Sequence, residues 1–85
     1  MRRLTTKISD GVYSVLDSDL SEVMRLLGVF EDAYEELIQH QTSIPSKLEE
    51  LRLQGKEKTV TYKELMAQKL INNHVLTFFR QHGLT

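Results

Sequence analysis

The stretch from Thr61 to His82 constrains this chain more than any other. Thr61-Tyr62-Lys63-Glu64 reads as a capping box, with Val60 and Leu65 at the two staple positions, and so predicts a helix start. Gly83 predicts a left-handed stop just after His82. At about 100° per residue, Tyr62, Leu65, Met66 and Leu76 occupy one arc of this helix. Leu70, Ile71, Val75, Phe78 and Phe79 cover most of the rest. A helix apolar over so much of its circumference is buried on more than one side. The chain has 85 residues, enough for a single domain (1–85) with one modest core. Other elements can therefore offer only limited cover. The reading is a homo-oligomer, most simply a homodimer, with Leu70, Ile71, Val75, Phe78 and Phe79 as the interface. The competing reading has the N-terminal segment and the middle helix cover the excess.

Before that stretch the pattern predicts three elements. Leu4–Lys7 and Val12–Leu16 flank Ser9-Asp10-Gly11. Asp-Gly between short β-branched runs predicts a hairpin within residues 1–17, which must lie on another element or fray, because a lone two-stranded hairpin is marginal in water. Residues 19–41 read as a long helix. Asp19 and Glu22 suit its positive end, and Leu20, Val23, Leu27, Phe30, Tyr34 and Leu37 recur at seam spacing. Met24, Leu26, Ala33 and Ile38 widen that seam, and Gly28 either permits close helix approach or marks a bend. Pro45 predicts a break over Thr42–Pro45. Ser46-Lys47-Leu48-Glu49 then predicts a short helix over 46–54, stopped by Gly55. The expected fold class is mainly α: an N-terminal β-hairpin, a long helix, a short helix and a second long helix (61–82) packed antiparallel to the first.

Composition narrows the function classes. Apolar residues make up 40% and charged residues 27%, the mix of a globular chain. No cysteine is present, which removes disulfides, thiolate metal sites and a cysteine nucleophile. No apolar run is long enough to span a bilayer, and Met1–Lys7 lacks the apolar block of a secretory signal. The expected location is cytoplasmic. The net charge of −1 hides a segregation. From Asp17 to Glu36, the acids Asp17, Asp19, Glu22, Glu31, Asp32, Glu35 and Glu36 are opposed only by Arg25. From Lys47 to Arg80, the bases Lys47, Arg52, Lys56, Lys58, Lys63, Lys69 and Arg80 outnumber four acids. Two solvated faces are the simplest account. As a functional surface, Glu31, Asp32, Glu35 and Glu36 suit a basic partner protein, and Arg52, Lys56, Lys58 and Lys63 suit phosphates.

Tests for chemistry return little. The four glycines cannot build a phosphate loop. His74 and His82 could share a helix side but lie about 12 Å apart along the axis, too far to chelate one ion. The pairs Glu31/Glu35 and Asp32/Glu36 have spacing that a hard cation could use, but such pairs are usually solvated helix surface. No catalytic residues, metal, cofactor or small-molecule substrate is expected, and the chain is read as a non-enzyme. Residues 61–83 also resemble a helix-turn-helix, with Ala67 as the small residue and Asn72-Asn73 as the turn. Ile71 then stands where the turn glycine belongs, and Asn72, Thr77 and Arg80 fall on core positions. A continuous helix needs none of these exceptions. A small DNA-binding regulator built on this segment and the basic 52–63 loop is the alternative function.

Three stretches resemble small uncharacterised proteins encoded by phages, prophages and conjugative elements of Gram-positive bacteria. They are Arg3-Leu4-Thr5 with Gly11-Val12-Tyr13, then Leu27-Gly28-Val29-Phe30-Glu31-Asp32, then Lys63 to Asn73. The second is similar to a Leu-x-x-(Tyr/Phe)-Glu-Asp pattern of that group, although the Gly-Leu-x-Pro turn that usually follows is replaced here by Ala33-Tyr34-Glu35-Glu36. The resemblance implies a mobile-element accessory protein and carries no activity or site residues with it. The expected function is a non-enzymatic protein–protein interaction module that is homodimeric and engages a host protein.

Overall fold

The computed structural model describes residues 2–84. Strand β1 (Thr5–Ser9) and strand β2 (Val12–Val15) form an antiparallel hairpin, followed by a single 3-10 turn at Asp17–Asp19. Helix α1 runs from Leu20 to Leu53, and helix α2 from Val60 to Gln81 packs against it. The chain divides into two compact units between Ala33 and Tyr34, inside α1.

In the first unit, Thr5 pairs with Val15, Thr6 with Ser14, Lys7 with Tyr13 and Ser9 with Val12. The register slips by one residue at Ile8, a bulge. Asp-Gly usually signals a turn with two positive φ angles, but only Gly11 takes one here (φ 76°). The Arg2–Thr5 segment and half-buried Val23 and Leu26 of α1 line one open groove of about 480 Å³, while Ile8, Val12 and Tyr13 of the hairpin are exposed. Asp19 does not act as the expected helix cap; its carboxylate takes the Arg2 guanidinium at 3.2 Å. Leu20 and Leu27, expected in the seam, are exposed, and the inward phase runs through Val23, Leu26 and Phe30.

In the second unit the main correction concerns the expected break. Thr42–Pro45 does not end the helix. Residues 46–54 are not a separate short helix, since α1 is one element of 34 residues with Pro45 inside it. Proline has no N–H for the Gln41 carbonyl and its ring crowds that carbonyl, at a cost of about 3 kcal/mol. Burial on both sides offsets this. Tyr34, Leu37, Gln41, Ile44, Leu48 and Leu51 keep seam spacing straight through Pro45, and Ile44 and Leu48 are buried. Only an unbroken helix puts those two on one face. Ser46 is therefore mid-helix, and Glu49 holds Arg52 at 2.8 Å instead of closing a capping box.

Both helices stop as the sequence predicts. Gly55 (φ 70°) and Gly83 (φ 78°) each take the left-handed conformation that a Cβ would penalise. The N–H groups of Gly55 and Lys56 reach the carbonyls of Arg52 and Leu51, and those of Gly83 and Leu84 reach Arg80 and Phe79. Both are complete Schellman motifs. The start of α2 differs from expectation: its cap is Thr59, two residues before Thr61. The Thr59 hydroxyl accepts from the Tyr62 N–H at 3.3 Å and donates to the Lys56 carbonyl at 2.7 Å. Extended backbone at Thr59 frees its side chain for this role, whereas Thr61 is already helical.

α2 runs antiparallel to the second half of α1. Tyr34 and Phe79 rings lie 6.3 Å apart, His40 meets Asn72, and Arg52 meets Tyr62. The inward residues of α2 are Tyr62, Leu65, Lys69, Asn72, Leu76 and Phe79, at alternating spacings of three and four. Leu76 is fully buried at 0% exposure.

Candidate association surface on the second helix

The seam uses only one face of α2. On the remaining circumference Ile71, Val75 and Phe78 share a second stripe, 54%, 36% and 57% exposed. At about 100° per residue this stripe is centred roughly a quarter-turn or more from the seam. Glu64, Gln68 and His82 continue it toward the two ends of the helix, and all are exposed. His82 is fixed there: its Nδ1 lies 2.9 Å from the Phe78 carbonyl, and its ring centroid is 4.5 Å from that of Phe78.

The five residues expected to form one interface thus separate. Ile71, Val75 and Phe78 stand together. Leu70 is exposed with Met66 on the other side of the seam. Phe79 is half-buried in the seam against Tyr34 and is taken up within the chain. An arc count of apolar residues does not distinguish seam from second stripe. The spacing of Tyr62, Leu65, Leu76 and Phe79 would have done so, had Lys69 and Asn72 been admitted as seam positions.

Asn72 is buried (5% exposed), and each of its polar side-chain atoms has a partner. Its Oδ1 accepts from Gln68 Nε2 at 2.7 Å, and its Nδ2 faces His40 Nδ1 at 3.3 Å. With the amide donating, the His40 ring proton sits on Nε2, 3.9 Å from the Glu36 carboxylate. This polar chain ties the two helices at mid-seam.

The charged candidates are placed as follows. Glu31, Asp32, Glu35 and Glu36 are all exposed on α1. Among the described residues Glu31, Asp32 and Glu35 have no ion pair, and Glu36 faces His40. Lys56 and Lys58 lie in the connection and Lys63 in the first turn of α2, all exposed. Arg52 is engaged: it bonds Glu49 at 2.8 Å and the Tyr62 hydroxyl at 3.3 Å. That hydroxyl first, then Glu49 and Glu57, raise the guanidinium's pKa further. At the start of α1, hydrogen bonding to Arg25 holds the Glu22 carboxyl below its usual range, and Glu22 raises Arg25 in turn. Residues 61–81 form one continuous helix, so the helix-turn-helix and its recognition helix are not formed. Among the described residues no three metal-ligating side chains converge, and no helix is long and apolar enough to cross a membrane.

No protein-family model, curated protein or solved structure matches this chain.

Proposed function

We propose that this protein is a non-enzymatic coupling module, a self-associating helical hairpin that acts as a homodimer through the Ile71–Val75–Phe78 stripe. One observation carries the reading: α2 has two apolar faces, and its own chain covers one. Among the described residues only Ile44, Leu48 and Leu76 are buried apolar side chains. A core of so few buried side chains leaves a small domain marginal, and association is one way to add to it. There is no cysteine for a disulfide, and α2 offers a ready surface for association. A second copy is the occupant that is present whenever the fold needs that cover.

The exposed Glu31, Asp32, Glu35 and Glu36 are the surface that such a dimer would offer a basic host protein in the cytoplasm. The resemblance to phage and conjugative-element proteins supports an accessory role of that kind.

Sedimentation from low micromolar to hundreds of micromolar concentration tests the reading. The wild-type chain is expected to sediment as a dimer over the upper range. Phe78→Glu places a charge in the centre of the stripe and should weaken dimerisation about tenfold or more. A wild-type chain that stays monomeric throughout overturns the proposal.

A further inference from the structure

The stripe on α2 has a symmetry that says how a second copy sits on it. Glu64, Gln68, Ile71, Val75, Phe78 and His82 advance by alternating steps of four and three, and the order of steps is the same read from either end. We propose that two copies join through antiparallel α2 helices about a two-fold axis at the level of Asn73. This rests on the self-association argued above and deepens it. In that arrangement Ile71 meets the second copy's Val75, Gln68 meets its Phe78, and Glu64 meets its His82. Each pairing occurs twice, as a two-fold interface requires.

Charge selects this orientation over the parallel one. A parallel pair would set Glu64 against Glu64 and His82 against His82. The antiparallel pair sets a carboxylate against an imidazole at both ends of the stripe. Glu64 has no ion pair among the described residues. His82 directs Nδ1 to the Phe78 carbonyl, so Nε2 is the nitrogen left to meet a carboxylate when the ring is charged. His74, exposed one residue from the axis, flanks the crossing point and approaches its own copy.

The chain's lack of cysteine makes single-cysteine cross-linking a clean test. All three replaced side chains are exposed, so the variants should keep the wild-type circular dichroism. Under mild oxidation His74→Cys should form a disulfide dimer. Glu64→Cys should not, because the two copies of that position lie about 27 Å apart along the axis. Glu64→Cys mixed with His82→Cys should give the mixed dimer. Charge exchange gives a second measure. Glu64→Lys and His82→Glu should each weaken dimerisation about fivefold, and the double variant should recover most of the loss. Self-cross-linking of Glu64→Cys would establish a parallel pair and overturn the proposal. So would a wild-type dimer whose variants give no cross-link, which would leave the coupling role standing on another face. A monomeric wild type overturns both.

Discussion

Asn72 shows how one side chain can set the identity of a contact at some expense to its strength. Its amide sits in an apolar seam with Leu76 one turn away, and both of its polar ends are satisfied by Gln68 and His40. A buried, satisfied polar group adds little net stability, but it penalises every register that leaves it without partners. Asn72→Leu is therefore expected to raise the thermal unfolding midpoint by several degrees. In the single chain Gln68 is exposed and the His40 side chain is 37% exposed, so water can satisfy both. The same variant should broaden the unfolding transition, because the seam then lacks the buried amide that penalises other registers of α2 on α1. A lower midpoint with an unchanged transition width would show that Asn72 contributes to stability and not to specificity. Residue by residue, the sequence is most readable where the backbone itself forces the choice. Gly55, Gly83 and Asp10-Gly11 are found where expected, since few residues besides glycine accept positive φ. Asn72 and Lys69 are the opposite case, because polar residues at seam positions interrupt the apolar spacing from which a seam is read.

At the scale of elements, Pro45 sets a local rule against a long-range one. The local rule ends a helix before proline. The long-range rule asks that Ile44 and Leu48 reach the same neighbour, and burial of both shows which prevails. The signal was present in the sequence, in the unbroken phase from Tyr34 to Leu51, but it is legible only once Gln41 is accepted as a place-holder. If α1 is continuous, Pro45→Ala restores a donor to the Gln41 carbonyl and removes a ring clash. It should then stabilise the protein by about 1–3 kcal/mol, measured by urea unfolding. Were the helix broken there, proline would be favourable near the start of a second helix, and the same change would be neutral or destabilising. The hairpin, the last helix and its antiparallel order against the first could be read from spacing and turn residues, whereas the continuity of α1 through Pro45 was not. The cap at Thr59 could not, because the Thr61 to Glu64 box is an equally good local signal displaced by two residues.

For the whole molecule, stability and concentration should be linked. When association supplies burial that the chain lacks, ligand-like mass action raises the apparent stability of the folded state. The thermal midpoint of the wild type is expected to rise steadily over a hundredfold increase in protein concentration, while that of Phe78→Glu stays lower and begins to rise only at about tenfold higher concentration. Calorimetry at several loadings reads both, and a wild-type midpoint independent of concentration would count against obligate pairing. The connection between the helices adds a further consequence. Gln54 to Thr59 is fastened at one end by the Schellman bonds of Gly55 and Lys56, and at the other by the Thr59 hydroxyl, which also grips the Lys56 carbonyl. For two copies to exchange α2 arms, this short bend would have to straighten and release all of those bonds. A pair of the proposed kind would then form by docking finished hairpins side against side, with arm-swapped chains and open-ended strings of them disfavoured at the bend.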